Sequence, residues 1–306
     1  MFFLKSAFFL FFIAHVNRKD FYVICLLFLS VCLLRPLLES KPCIKANPIE
    51  ASRIVSLAPS ITETLYFLGL WSKVVGVTHF CSFPNDARTK AHVAGFGNVN
   101  LEAILKVGAD LAILPSDQKE CSEELSNVGI PVAFIDTRSL EKYLDDITVL
   151  ARLLGADATA KSIVNSFNTN IKEAQIRAKG RKKPRVLFAV MHVGGDADIL
   201  STIHIVGKDG FFDRLLESAG GINVYSGNLA FPQISREAII HMNPDVIIDV
   251  LPYPEDSEKI LNEWMEMKMI TAVKSGRVHI FSDQSDTIPG PRSALTLQKL
   301  SHCLFP

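Results

Sequence analysis

EAILKVGADLAI, residues 102–113, and EAIIHMNPDVII, residues 237–248, align without a gap and share five of twelve residues. Each reads as a helix opened by Glu that feeds a strand beginning after Asp. One such unit in each half of a 306-residue chain predicts two similar α/β lobes. Any single helix–strand unit can take this form; the shared Glu-Ala-Ile and the Asp in register argue for a true repeat.

Working outward, the same rhythm surrounds each copy. Arg53–Leu57, Val74–Val77, Leu111–Leu114 and Val132–Ile135 are short apolar runs of strand type. Between them lie helical segments at Ser60–Leu68, Asn100–Val107 and Glu120–Asn127, and Ser60-Ile61-Thr62-Glu63 has the spacing of a capping box. Apolar strands alternating with helices imply parallel βα units buried on both faces. Residues 139–179 carry no strand signal. Apolar residues recur there at helical spacing, Leu140, Leu144, Ile147, Leu150 and Leu154, then Ile163, Val164, Phe167 and Ile171. One long helix or a pair of helices is expected, linking the lobes. The rhythm resumes with strands at Arg185–Val190, Asp245–Val250 and Arg277–Phe281, and helices at 209–219, 236–242, 258–268 and 293–304.

The expected organisation is therefore an export signal or membrane anchor at 1–51, an N-terminal α/β lobe at 52–138, a helical linker at 139–183 and a C-terminal α/β lobe at 184–306. The fold class is α/β: two Rossmann-like lobes with parallel sheets, joined by a long rigid helical segment, with a ligand cleft between them.

The amino terminus has its own character. Phe21–Leu34 is uncharged and follows Arg18-Lys19, the order of a signal-peptide core behind a positive region. Fourteen residues are short for a bilayer core of about 30 Å. Export to the periplasm, or to the outer face of the cytoplasmic membrane, is expected, with a retained anchor as the alternative. Cys32 lies in a weak lipoprotein-like context. Thirty-two basic and 32 acidic residues cancel, so no nucleic-acid partner is indicated. Six Cys occur without a C-x-x-C spacing, which gives no zinc or redox motif. Cys81 and Cys121 are the one pair to consider for a disulfide, against two buried thiols.

No G-x-S-x-G, H-E-x-x-H or P-loop occurs, and Gly194-Gly195-Asp196 reads as a turn. The chain is expected not to be an enzyme and to need no cofactor.

Four segments resemble the class III periplasmic binding proteins, which carry cobalamin, iron-siderophores and haem. They are Ser60-Ile61-Thr62-Glu63 with Leu68-Gly69, residues 97–104 (GNVNLEAI), Phe231–Glu237 (FPQISRE) and Pro289-Gly290-Pro291-Arg292. The FPQISRE segment is very similar to one in the cobalamin-binding member. The resemblance covers residues 52–306. It implies a monomer that captures a corrinoid such as cobalamin, or a related metal chelate, and delivers it to the permease dimer of an ABC transporter.

Residue by residue, the resemblance assigns Phe80, Phe96 and Phe231 to positions where the cobalamin-binding member has Tyr and Trp against the corrin. Phe keeps an apolar face and loses the polar donors; each Phe could equally be ordinary core. His79, in Thr78-His79-Phe80-Cys81, is a candidate contact from above a chelated metal, or an ordinary surface imidazole. Asp283 and Asp286 follow the last strand as acceptors for ligand amides, Asp286 alternatively capping a turn, and Arg292 is read as structural. Glu102 and Glu237 match one Glu per lobe that pairs with transporter arginines. A carboxylate in the first turn of a helix is also favoured by the helix dipole alone. Siderophore or haem binding, and a membrane-anchored interaction domain without transport, are the competing readings.

Overall fold

The computed structural model describes residues 50–95, 98–193, 198–251 and 257–306. Residues 1–49 of the expected export segment, 1–51, and Phe96 lie outside these.

The first sheet takes β1 (Ile54–Ser56), β2 (Val74–Thr78), β3 (Ala91–Ala94), β4 (Leu111–Pro115) and β5 (Val132–Ile135) in the order β3-β2-β1-β4-β5. All its pairings are parallel. Ile54, Leu111 and Ile113 enter one apolar core, whereas Val55, Ala112 and Leu114 enter another on the opposite face. This period-two alternation explains why the strands read as unbroken apolar runs. Helices α1 (Pro59–Phe67), α2 (Leu101–Lys106) and α3 (Lys119–Asn127) connect the strands.

Two helices follow, α4 (Leu140–Leu154) and α5 (Asp157–Ala178). Gly155 caps α4 at φ 73°, the left-handed conformation that glycine adopts without a Cβ penalty, so the linker is a pair of helices.

The second sheet takes β6 (Arg185–His192), β7 (Thr202–Ile205), β8 (Ile222–Asn223), β9 (Gln233–Ser235), β10 (Val246–Val250) and β11 (Val278–Phe281). Its order is β11-β10-β6-β7-β9, with β8 beside β6. Strands β6, β10 and β11 are parallel, as expected, but β7 runs antiparallel to both β6 and β9. This sheet is thus mixed. Strands β7 and β9 have four and three residues, too few for a periodic signal to register in sequence. Helices α6 (Phe211–Ser218), α7 (Arg236–Met242), α8 (Ser257–Glu266), α9 (Thr271–Lys274) and α10 (Ser293–Leu304) complete this half.

The two halves share one apolar core. Ile61 and Leu65 of α1, Tyr143 and Ile147 of α4, Phe167 of α5, Phe188 of β6 and Leu297 of α10 belong to the same buried cluster. Tyr143 is fully buried; its hydroxyl lies 2.9 Å from Thr64 Oγ1, and its ring meets Phe211 edge-on at 5.8 Å between centroids. A single side chain thereby couples α1, α4 and α6.

The expected capping box is not formed. Helix α1 starts at Pro59, with Ala58 as a cap that makes no side-chain bond. Glu63 instead turns inward, 1% exposed, and accepts from Arg292 Nε at 2.9 Å and Nη2 at 2.5 Å. Burial pushes the Glu63 carboxyl above its ordinary value, and the Arg292 guanidinium acts against that rise. Arg292 is structural, as read from sequence.

Removing one partner of a buried, hydrogen-bonded ion pair costs about 3–5 kcal/mol. Arg292→Ala should lose on this order of stability at neutral pH in urea unfolding. An acid whose folded pKa is raised favours folding while protonated. The deficit should therefore shrink as pH falls from neutral toward 4.5, the ordinary value for Glu63, because the buried carboxyl takes up its proton above that value. Glu63→Gln added to Arg292→Ala should recover part of the loss at neutral pH. A deficit that ignores both pH and Glu63→Gln refutes the assignment.

Candidate functional site

At the C-terminal end of β2 the chain continues as His79-Phe80-Cys81-Ser82-Phe83, and at that of β11 as Ser282-Asp283-Gln284. These loops from the two sheets meet. Ser82 Oγ donates to Gln284 Oε1 at 2.6 Å, and the Arg292 guanidinium lies 4.3 Å from the centroid of the Phe83 ring. The C-terminal strand ends of open α/β sheets are where such folds place ligand clefts. The Glu63–Arg292 pair ties the same two parts of the chain together.

Phe80 is 53% exposed and His79 is exposed, so neither is ordinary core. His79 packs edge-on against His92 of β3, with centroids 4.4 Å apart. Both rings line a pocket of about 210 Å³ whose other walls include Asn98 and Asn100. Cys81 is buried, its sulfur 3.1 Å from Thr62 Oγ1 and 3.2 Å from Thr78 Oγ1. Cys81 and Cys121 belong to cores on opposite faces of the first sheet, and no disulfide joins them.

Phe231 is 54% exposed but sits at the start of β9, the edge strand of the second sheet, where its carbonyl accepts from His204 Nδ1 at 3.3 Å. Strand β9 separates it from α7, so it does not stand at a C-terminal strand end as Phe80 does. Asp283 is exposed and accepts from Ser285 N at 2.9 Å. Partial burial opposes its ionisation, but the hydrogen bonds from Ser285 and the charges of Lys299 and Arg292 hold its carboxyl below the ordinary value.

Asp286 does not fit the ligand-contact reading. It is fully buried, with Oδ1 accepting from Thr296 Oγ1 at 2.6 Å and Oδ2 from Lys299 Nζ at 2.7 Å. Both oxygens are spent on anchoring α10, which leaves none for a ligand.

Glu102 and Glu237 occupy the same place in their repeats, the second residue of α2 and of α7, and both are exposed. The caps match too: Asn100 Oδ1 accepts from Ala103 N at 2.9 Å, and Ser235 Oγ from Ala238 N at 3.4 Å. A hydrogen bond from the Ser235 side chain holds the Glu237 carboxyl below its ordinary value.

A further group at the cleft end of the second sheet escaped the sequence reading. His192 Nε2 lies 3.0 Å from Asp249 Oδ2, which also accepts from Trp264 Nε1 at 2.6 Å. Asp249 is fully buried, and its Oδ1 has no hydrogen-bond partner among the described residues. The register of β6 against β7 slips between Ala189 and Met191. That slip returns His192 to the face of Leu187 and Ala189, where Asp249 waits. The available signal was Asp249 itself, an acid inside the apolar run Val246–Val250.

The fold and the meeting of strand ends define a two-lobed α/β binder. The periplasmic binding protein family model matches residues 54–284, and the chain belongs to that family of solute-binding proteins. It is 30% identical over 262 residues to an uncharacterized ABC transporter substrate-binding lipoprotein of Bacillus subtilis, covering 84% of this chain and 81% of the relative. It is 26% identical over 201 residues to a vitamin B12-binding protein of Yersinia pestis, covering 65% and 69%. A possible iron-binding periplasmic solute-binding protein of Staphylococcus epidermidis superposes with TM-score 0.66 at 28% identity, over 84% of this chain and all, 100%, of the other. The vitamin B12 binding protein of Vibrio cholerae shares the fold, with TM-score 0.70 at 21% identity and coverage of 84% and 98%.

Leaving Thr296 and Lys299 without their acceptor should cost about 1–3 kcal/mol. Asp286→Ala is expected to lower the urea midpoint accordingly, whereas Asp283→Ala, at an exposed position, should change stability by less than about 1 kcal/mol. Equal losses from the two would contradict the division of roles.

Proposed function

We propose that this chain is the extracytoplasmic solute-binding component of an ABC importer, and that it captures a corrinoid-type metal chelate such as cobalamin and hands it to a membrane permease dimer. The observation that carries this reading is the exposed His79-Phe80 pair at the end of β2, tied by Ser82–Gln284 to the Asp283 loop of the other sheet. A half-exposed aromatic ring at a strand end offers apolar surface to a planar ligand. The Asp283 carboxylate beside it offers acceptors for ligand amides. Phe231, exposed ahead of the edge strand β9, is a second candidate aromatic face, and Phe96 lies outside the described residues.

None of these site residues is cationic, which disfavours anionic ferric siderophores. Haem is the second reading, favoured by the imidazoles of His79 and His92 in the pocket wall. The relatives named for vitamin B12 support the corrinoid. The family assignment and the Arg18-Lys19 segment ahead of Phe21–Leu34 support export, with residues 1–51 as signal or anchor. The chain is taken to act as a monomer and without catalysis.

Purified protein titrated with cobalamin, haem and a ferric siderophore should bind cobalamin most tightly, read by tryptophan quenching. Losing an aromatic face costs about 0.5–1.5 kcal/mol beyond the area lost, so Phe80→Ala should weaken binding several-fold, and Phe80→Ala with Phe231→Ala more. Binding of none of the three, or equal binding by the double variant, defeats the assignment.

Glu102 and Glu237, exposed at matching positions of the two repeats, are proposed to dock on arginines of the two permease subunits. Rim charges act mainly on encounter and on salt dependence. Glu102→Arg with Glu237→Arg should keep cobalamin affinity and abolish uptake, each single change giving a partial defect. Unchanged uptake per folded molecule would leave the two acids as helix-dipole partners only.

A further inference from the structure

We infer that His79 and His92 form a binding site for a bare divalent transition-metal ion, separate in chemistry from the capture of a chelate. Both imidazoles are exposed, one on the loop after β2 and one on β3, the edge strand of the first sheet. The backbone holds them together: β2 and β3 pair in parallel, and His79 N donates to the Ala94 carbonyl at 3.2 Å. Their centroids are 4.4 Å apart and their planes cross at 64°.

That spacing is compatible with metal geometry. An imidazole nitrogen binds zinc at about 2.0–2.1 Å, which puts the ring centroid roughly 3.2 Å from the ion. Two such rings at a right angle about one metal have centroids about 4.5 Å apart, and at a tetrahedral angle about 5.2 Å. The observed 4.4 Å is close to the centroid spacing of two such ligands at a right angle. Mutual packing of the two rings also allows this distance; beyond it, both rings line the same pocket of about 210 Å³.

No hydrogen bond engages the side chain of His79 or His92 among the described residues, in contrast to His192, whose Nε2 is held by Asp249. The pocket continues past the rings to Gly95, Asn98 and Asn100. A Cβ at Gly95 would stand 2.6 Å from Asn98 Oδ1, so the glycine is what lets this amide sit where it does. Among the described residues no third His, Cys or carboxylate joins the pair. The remaining positions on a bound ion are thus left to water, an amide oxygen or an incoming donor. Two imidazoles with neutral oxygen donors select copper, nickel or zinc over magnesium or calcium, which require several hard oxygens.

The test uses the full-length chain stripped with a chelator, and Cu²⁺, Zn²⁺ and Mg²⁺ as the probes. Calorimetry should find one equivalent of Cu²⁺ or Zn²⁺ bound and no Mg²⁺. The Cu²⁺ electron paramagnetic resonance spectrum should carry coupling from two imidazole nitrogens. His79→Ala and His92→Ala should each remove one coupling and weaken Cu²⁺ binding about tenfold or more, a loss of at least about 1.4 kcal/mol. His241→Ala, at an exposed position in α7, and His192→Ala should leave it unchanged. Circular dichroism and thermal melting check that each variant is folded. The inference is overturned if the His79→Ala, His92→Ala double variant binds Cu²⁺ like the parent. It is equally overturned if only His192→Ala or His241→Ala abolishes the coupling, or if Mg²⁺ competes at equal concentration. Chelate titration of the same preparations separates this outcome from that of the proposed function, since cobalamin or haem can bind whether or not the bare ion does.

Discussion

A buried carboxylate and a guanidinium 229 positions apart in sequence, Glu63 and Arg292, set the geometry on which the rest of the molecule depends. Glu63 faces inward from α1 of the first lobe. Arg292 stands at the start of α10, the last helix, which packs on α5 and α6. Neither charge tolerates the interior alone. Once they meet, the end of the chain is locked against the first lobe, and the loops after β2 and β11 are held in contact beside them. The stacking of Arg292 on Phe83 and the Ser82–Gln284 hydrogen bond are consequences of that closure.

The helical linker works with this tie. Tyr143 sits on α4 with its hydroxyl on Thr64 and its ring on Phe211, so a residue of the linker is core to both lobes. With α4 and α5 packed into the same apolar cluster as β1 and β6, relative motion of the lobes has to shear close-packed side chains, which favours small displacements. Such a body suits a bulky ligand held between preformed walls better than a flexible one that must be enveloped. In this setting Asp286, which resembled a ligand contact, instead pins α10 through Thr296 and Lys299.

The cleft combines two kinds of surface. On the first sheet, exposed apolar and imidazole groups, Phe80, His79 and His92, stand at and beside the end of β2. On the second, His192 is held by the buried pair Asp249 and Trp264. A carboxylate that fixes one nitrogen of an imidazole sets its tautomer and orientation. The two lobes therefore present histidines of different character, a mutually packed pair on one side and a single ring fixed from below on the other.

The sequence by itself determined the repeat and what local physics writes into it. Glu102 and Glu237 fall at the same helical position because the caps Asn100 and Ser235 fix where each helix begins. The parallel strands of the first sheet were legible because burial on both faces demands continuous apolar runs; the helical spacing of 139–179 was legible too, but it suits one helix or two, and the left-handed cap at Gly155 decides for two. Tertiary structure alone decided the rest. Glu63 and Asp286 are acids whose roles depend on partners distant in sequence or in another element, which neither spacing nor propensity encodes. Strands β7 and β9 are too short to carry a period, and the antiparallel direction of β7 is set by the sheet it joins. The pairings of His79 with His92 and of His192 with Asp249 arise from strand neighbours and from a one-residue slip in register. Such contacts exist only once the sheets have formed, because the sequence fixes which face a side chain takes along its own strand and not which strand lies beside it.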